Sequence, residues 1–392
     1  MRTISIFGST GSIGDSCLDV IRNLPSDQFS VLSLVANTNY QKLAQQAIEF
    51  AVKLVVIREE KYYIKLKSLL ANTNIKVVCG ESGIIEACAL KSDLVVGAIV
   101  GIAGLIPVYN AILAGSDILL ANKESLVCAG GIIMNLAQEK NVKIIPVDSE
   151  HNAISQVFDG AQKKSINKII LTASGGPFRG KSKDELKEVK LDDALKHPTW
   201  KMGKKITIDS ATMFNKGLEI IEAHYLFGMD IDDIEVIVHP QSIIHSMVEY
   251  KDGSVLAQLS KPDMKIPILN SLYYPRRYSS NFVMNKMDFT NLTNLTFEQV
   301  NHEAFPSINY AKDALRKGGV AQVMLNAANE VLVECFLERR IGFYSIFETI
   351  AYMLSQDLLC QEALKDIDGV ISFDKYCRDI TYDYIKKHLS DK

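Results

Sequence analysis

Short, nearly continuous apolar runs punctuate the first part of the chain, at 3–7, 31–36, 53–57, 75–78, 93–99, 117–120 and 142–147. Amphipathic stretches such as QKLAQQAIEFA (41–51) lie between them. Runs without polar alternation mark parallel strands covered on both faces. The strand–helix rhythm therefore predicts an α/β fold, a doubly wound Rossmann-like parallel sheet over 1–148. From 149 to 274 the texture changes. Strand-like runs recur at 168–172, 205–208, 234–238, 243–250 and 254–259, and the last two flank YKDGS, a hairpin signal. This predicts a central α+β domain. Inside it, 175–204 is rich in Gly, Pro and Lys and weakly apolar, which predicts a mobile lid loop holding one short helix at 183–195. Residues 275–306, with two prolines, many asparagines and little periodicity, read as a linker. From 307 to 392, segments such as AQVMLNAANEVLVECFLE (321–338) and YSIFETIAYMLSQ (344–356) predict a C-terminal helical bundle.

Composition narrows the classes. Of 392 residues, 47% are hydrophobic and 23% charged, a globular balance in a chain long enough for more than one core. A net charge of −3 supplies no broad basic field, so no nucleic-acid partner is expected. Seven cysteines stand far apart at 17, 79, 88, 128, 335, 360 and 377. Their odd number and the lack of any CxxC argue against a disulfide framework or a zinc site, and reduced thiols predict a cytoplasmic protein. A strand at 3–7 leaves no room for a leader peptide, and the apolar stretch near 94–105 is broken by Gly97, Gly101 and Gly104, so no membrane partner is expected.

Several polar motifs sit where strands end, the place where α/β sites gather. GSTGSIG (8–14) follows the first strand and precedes a helix, so its glycines can bring backbone amides against a pyrophosphate. A plain tight turn is the alternative. The second strand ends in Ala36-Asn37-Thr38-Asn39. With no carboxylate there to hold a ribose 2′-hydroxyl, NADP is favoured over NAD, although the nearest base is Lys42. Asp148-Ser149-Glu150 follows a buried strand and could simply cap the next helix. Asn122-Lys123-Glu124 follows another, as a polar turn or as a lysine reaching into the same cleft. Ser174-Gly175-Gly176-Pro177 is a turn or an anion-binding loop. His197-Pro198-Thr199-Trp200 carries the only tryptophan on a polar loop, a plausible lid. Asn215 and Glu219 share a helix face with Lys216 beside it, near Ser210. The bland reading is an exposed Lys–Glu pair. Taken together, Asp148, Glu150 and Glu219 supply hard oxygens for a divalent metal, beside hydroxyl, amide and ammonium groups suited to a phosphorylated polyol.

GSTGSIG, LLANKESLV, PVDSEHNAI, SGGPF, HPTWKMGKKITIDSATMFNKGLE, HPQSIIHSMV and LNAANE resemble the 1-deoxy-D-xylulose 5-phosphate reductoisomerase family, over the whole chain. The resemblance implies NADPH and one divalent cation (Mg²⁺, Mn²⁺ or Co²⁺) as cofactors. It implies cofactor contacts from Thr10, Gly11, Ser12, Ile13, Asn39, Asn122, Glu124 and Gly203, with Asn37 and Thr38 beside the 2′-phosphate. Asp148, Glu150 and Glu219 match metal ligands, and Lys123 and Ser149 match contacts to the substrate's carbonyl and hydroxyl end. Ser174, Ser210, Asn215 and Lys216 match a phosphate pocket; His197, Trp200 and Met202 match the closing loop. The implied reaction rearranges 1-deoxy-D-xylulose 5-phosphate on the metal, by retroaldol–aldol or direct shift. NADPH then reduces the branched aldehyde to 2-C-methyl-D-erythritol 4-phosphate. A homodimer is implied as well. The chain departs from the family at Thr38, where members often carry Lys or Arg.

Two other functions fit parts of the pattern. A different NADP-linked dehydrogenase of a small phosphorylated or acidic metabolite would use the same first domain without three metal-binding carboxylates. A non-catalytic nucleotide sensor would have no use for the acid, lysine and phosphate cluster.

Overall fold

The computed structural model describes residues 1–200, 202–280, 282, 284, 286–292, 294–356 and 364–389. Their contacts resolve into two compact units that the chain visits in alternation. The first comprises Met1–Ser125, Ile133–Asn152 and Asp263–Asn285; the second comprises Leu126–Ile132, Ala153–Pro262 and Lys286–Lys392.

The first unit is built on seven strands: β1 (Arg2–Phe7), β2 (Phe29–Ala36), β3 (Leu54–Ile57), β4 (Lys76–Cys79), β5 (Leu94–Gly97), β6 (Asp117–Leu120) and β7 (Ile144–Pro146). All pair in parallel, in the order β4-β3-β2-β1-β5-β6-β7. Every strand anticipated from the apolar runs is present. The order reverses between β1 and β5, which opens a crevice beyond their carboxyl ends. Ile4, Ile6, Leu34, Val55, Leu94 and Leu119 form the core of the sheet. Helix Lys265–Tyr273 belongs to this unit. It lies against helix Ser12–Arg22, with Ile268 and Leu272 in the same core. Arg2 Nη1 donates to the Leu272 carbonyl at 2.8 Å, and Lys265 pairs with Asp19.

The second unit holds a four-stranded mixed sheet and a helical bundle. Its strands are β8 (Ile166–Ala173), β9 (Ile234–Val238), β10 (Ile244–Tyr250) and β11 (Val255–Leu259), in the order β11-β10-β8-β9. Only the β8–β9 pairing is parallel. The YKDGS hairpin joins β10 to β11, with Gly253 at φ +88. Two expectations fail here. Residues 205–208 are not a strand but part of helix Lys204–Ala211, started by Gly203 and bonded back to it through Thr207 Oγ1 at 2.8 Å. A four-residue run with β-branched residues is too short for periodicity to decide between the two states. The single helix at 183–195 is two short ones, Lys183–Lys187 and Leu191–Ala194, because Lys190 is extended. Among the described residues of 275–306 the regular features are a 3₁₀ turn, Phe289–Asn291, and a bridge from Glu298 to Val238. The bundle contains helices Ser307–Lys317, Gly319–Leu337, Ser345–Ser355 and Ile367–His388. Helix Gly319–Leu337 is long and apolar enough to cross a membrane, but 78% of its apolar window is buried inside the protein, as expected of a bundle's central helix.

Candidate active site

In the first unit, the turn after β1 is fixed by backbone crowding. Gly8 has φ +93, and a Cβ there would lie 2.5 Å from the Ala98 carbonyl oxygen. A Cβ on Gly14 would lie 2.4 Å from the Gly8 carbonyl oxygen. Neither position has room for a side chain, so the turn stays tight and helix Ser12–Arg22 packs directly upon it. Gly8 and Ser9 donate their amides to the Val35 carbonyl at 2.8 and 2.9 Å, which ties the turn to β2. Gly11 caps the helix without a side-chain acceptor. The first-turn amides, including those of Ser12 and Ile13, have no intrahelical acceptors and carry the positive end of the helix dipole. At the β1/β5 switch point this is an anion seat.

Asn37, Thr38 and Asn39 follow β2 and are exposed. Asn39 also caps helix Tyr40–Glu49, its Oδ1 accepting from the Lys42 amide at 3.2 Å. Asn122, after β6, is buried and its side chain is engaged within the chain. Its Oδ1 accepts from the Ser125 amide at 3.0 Å, and its Nδ2 reaches the Ile99 and Gly101 carbonyls at 2.8 and 2.9 Å and Glu124 at 2.9 Å. It pegs the loop after β6 to the loop after β5. Lys123 Nζ lies 2.5 Å from Asp148 Oδ2, with both side chains largely buried. Asp148 follows β7, and Ser149 and Glu150 open helix Ser149–Val157. The Ser149 hydroxyl donates to Glu150 Oε2 at 2.5 Å. Lys123, Asp148, Ser149 and Glu150 thus gather at the carboxyl edge of the parallel sheet.

In the second unit, β8 ends at Ala173 and Ser174 opens the glycine loop. His197 Nδ1 accepts the amides of Thr199 at 3.1 Å and Trp200 at 2.9 Å. A nitrogen that accepts cannot carry the proton, so the proton sits on Nε2. That Nε2 lies 3.1 Å from both Ser174 Oγ and Ser210 Oγ. Ser174 Oγ also accepts the Gly176 amide at 3.1 Å. Nε2 carries a single proton, so it serves one hydroxyl at a time and holds the two serines together beside the glycine loop. Burial pushes the His197 pKa below the usual imidazole value, which favours the same neutral form. Gly176, at φ +67, packs so closely on the Ser210 helix that a Cβ would lie 2.7 Å from the Ser210 carbonyl oxygen.

Helix Phe214–Phe227 begins just after Ser210, behind Met213 in the left-handed region. On its first turns Asn215 Nδ2 and Lys216 Nζ both hydrogen-bond to the Glu219 carboxylate. The bland reading of an exposed Lys–Glu pair does not hold, since Lys216 and Glu219 are buried. A carboxylate withdrawn from water needs such partners. Met202 is half-buried, and Gly203 is the exposed N-cap of helix Lys204–Ala211. Lys201, within the lid segment, lies outside the described residues.

Three neighbours of these residues escaped sequence reasoning. The Trp200 ring lies 6.1 Å from that of His245. Asp209, buried beside Ser210, is held by Asn329 Nδ2 at 2.8 Å and by Lys205 Nζ at 2.8 Å. Gly130 packs against Tyr225 so closely that a Cβ would lie 2.3 Å from its ring. HPQSIIHSMV and LNAANE carried the first two as motifs, but nothing local in them named a contact.

Chemically, the first unit presents an anion seat and a lysine–carboxylate edge. The second presents two hydroxyls gathered on one imidazole, and a buried carboxylate with an ammonium and an amide. Family profiles match along the chain: 1-deoxy-D-xylulose 5-phosphate reductoisomerase over residues 4–130, its C-terminal domain over 144–227, and the DXP reductoisomerase C-terminal domain over 259–380. The chain is 51% identical to the 1-deoxy-D-xylulose 5-phosphate reductoisomerase of Lachnospira eligens, across 91% of this chain and 93% of that protein. It is 49% identical to the one of Chloroherpeton thalassium, across 98% of each. It superimposes on the reductoisomerase of Zymomonas mobilis in complex with NADPH with a TM-score of 0.91 at 41% identity, covering 98% of this chain and 99% of that one. On DOX-P reductoisomerase in complex with NADPH, fosmidomycin and magnesium the TM-score is 0.93 at 38% identity, covering 98% of each chain.

Proposed function

The chain belongs to the 1-deoxy-D-xylulose 5-phosphate reductoisomerase family, and on that premise we propose how its own residues serve the reaction. The enzyme converts 1-deoxy-D-xylulose 5-phosphate to 2-C-methyl-D-erythritol 4-phosphate with NADPH and a divalent cation, in isoprenoid precursor biosynthesis.

The residues suit both groups. The crowded glycines of the first turn admit a backbone approach, and its uncapped amides suit a pyrophosphate. Thr10, Gly11, Ser12 and Ile13 would hold that end of NADPH, and Asn37, Thr38 and Asn39 the adenosine end. Glu124 and Gly203 would complete the seat, with Asn122 holding Glu124 in place. Asp148, Glu150 and Glu219 are an all-oxygen, anionic donor set, the kind that Mg²⁺, Mn²⁺ or Co²⁺ accepts. These three would hold the cation. Bound there, the cation supplies a Lewis acid to the ketose oxygens, and NADPH supplies the hydride.

The chain's own groups bind, orient and exclude water. Lys123, braced on Asp148, offers N–H donors to the reacting oxygens, with Ser149 next to it. The substrate phosphate is assigned to Ser174, Ser210, Asn215 and Lys216. His197, neutral and protonated on Nε2, keeps the two serine hydroxyls together, where they can turn their own protons to a phosphate oxygen. Anchoring the non-reacting phosphate lets its binding energy orient the reacting end. Trp200 and Met202 lie on the segment that His197 fastens, and they would close over the substrate and keep water out.

The His197 knot carries this reading, because its Nε2 gathers two serine hydroxyls beside the glycine loop, a polar seat suited to a phosphate. Beyond the small-molecule substrate, we place the enzyme in the cytoplasm as a homodimer without nucleic-acid or membrane partners. The six described cysteines are all free thiols, in keeping with a reducing compartment. The test is a spectrophotometric assay of purified protein with 1-deoxy-D-xylulose 5-phosphate, NADPH and Mg²⁺ or Mn²⁺. Loss of the reduced-nicotinamide absorbance is expected, and excess chelator should abolish it. Full activity in chelator would remove the metal from the assignment and favour an ordinary dehydrogenase.

A further inference from the structure

The exposed residues after β2 give the adenosine end of the cofactor neither an acid nor a base. A dinucleotide seated on the first turn places its ribose in the gap between the ends of β1 and β2. Two cations lie on the chain beside that gap, and they lead in opposite directions. Arg58 follows β3, and its amide donates to the Ala36 carbonyl at 2.9 Å. Its guanidinium turns away, with Nε 2.7 Å from Glu81 at the start of the helix after β4. Lys42 sits in the first turn of helix Tyr40–Glu49, and its Nζ lies 2.9 Å from Asp15 Oδ1. The Asp15 amide in turn donates to the Gly11 carbonyl at 2.9 Å. The Lys42 ammonium therefore bridges the first turns of the two helices that flank the gap.

The Lys42–Asp15 pair is solvent-exposed, with side chains 35% and 54% accessible, and such pairs add little to stability. Asp15 also has a second holder. Gln46, buried on the same helix as Lys42, reaches Asp15 Oδ1 at 3.4 Å and the Ser9 carbonyl at 3.1 Å. The carboxylate thus stays in place when the lysine leaves it.

We propose that Lys42 selects the 2′-phosphorylated dinucleotide, its ammonium exchanging Asp15 for the 2′-phosphate. This rests on the reading of the Gly8–Gly14 turn as the NADPH seat. It moves the specificity charge from the strand end, where Thr38 stands, to the helix that follows.

The experiment is calorimetric titration of the full-length protein with NADPH and with NADH, without substrate, at two salt concentrations. Wild type is compared with Lys42→Met, Lys42→Arg and Arg58→Met. Loss of one charge-assisted contact to phosphate is about 10- to 100-fold in affinity. The expected result is an NADPH Kd raised by at least ~10-fold in Lys42→Met, a flatter salt dependence, and an NADH Kd unchanged. Lys42→Arg should keep the preference and Arg58→Met should leave both constants as they were. Equal weakening of both nucleotides by Lys42→Met, no weakening of either, or a selective loss in Arg58→Met would each overturn the proposal. If wild type binds NADPH but Lys42→Met shows no selective loss, only the Lys42 assignment falls. If wild type binds neither nucleotide, the reading of the turn falls and takes the assignment with it.

Discussion

Gly176 is the position where a single methyl group should separate the two halves of the chemistry. Its φ of +67 is left-handed, and a Cβ there would meet the Ser210 carbonyl oxygen at 2.7 Å and Ala211 Cα at 3.2 Å. The left-handed backbone costs an L-residue roughly 1–2 kcal/mol. The overlap adds about 1–3 kcal/mol, because the atoms it meets are backbone and cannot rotate away. The loop must lift from the Ser210 helix, which takes the Gly176 amide off Ser174 Oγ and widens the Ser174–Ser210 spacing that His197 bridges. A misplaced phosphate anchor lowers kcat/KM by about 10²-fold. Gly180→Ala is the control: Gly180 is also left-handed, at φ +83, but a Cβ there would meet nothing within 4 Å. It carries the backbone strain without the displacement. The assay is steady-state kinetics on both variants beside wild type, with NADPH Kd measured separately. Gly176→Ala should lose kcat/KM and keep its NADPH affinity, and Gly180→Ala should keep both. Kinetics of Gly176→Ala within about threefold of wild type would refute the argument, as would equal losses in the two variants.

Replacing Glu219 by Gln preserves shape and removes a negative charge from the proposed cation set; kcat should fall at least ~100-fold, with NADPH binding unchanged by calorimetry, and near-normal turnover would take Glu219 out of that set. Trp200 is the only tryptophan, so its emission should change when substrate joins the NADPH complex, and limited proteolysis within 175–204 should slow at the same time; equal cleavage with and without ligand would argue against closure. The His197 pKa is lowered from 6.5 by burial, so the unfolded chain binds this proton more readily. That contribution to stability is complete above pH 6.5, falls as pH drops through 6.5 toward the folded value, and is flat below it. Urea unfolding across this window should show the loss in wild type and not in His197→Gln.

The parallel sheet was legible because its strands are buried on both faces and read as unbroken apolar runs. The helix Lys204–Ala211 was misread because ITI, framed by lysines and an aspartate, suits either period over so short a span. The first turn announced itself through its glycines, whose crowding against Ala98 and Ser9 is backbone geometry that composition reports directly. Burial was less visible. The spacing of Asn215, Lys216 and Glu219 is the same in a solvated pair and in the buried cluster found here, and only the packing around the helix tells them apart. Asn329 meets Asp209 across 120 residues of chain, a distance over which no local pattern operates. The His197 tautomer is likewise a product of two loop amides and two hydroxyls that only the fold assembles.

Helix Lys265–Tyr273 also has a consequence for the order in which the protein can be made. The first six strands of the sheet are complete in sequence by Leu120 and the seventh, β7, by Pro146, yet Ile268 and Leu272 fill the same core as Leu18 and Val20. The N-terminal layers must wait on the ribosome, one apolar flank uncovered, while the intervening residues are translated. At elongation rates of roughly 5–20 residues per second, that interval is about 6–24 seconds. A truncated gene ending after β7 would freeze the waiting state. It should yield a sticky, chaperone-bound product in place of a free-standing nucleotide-binding module.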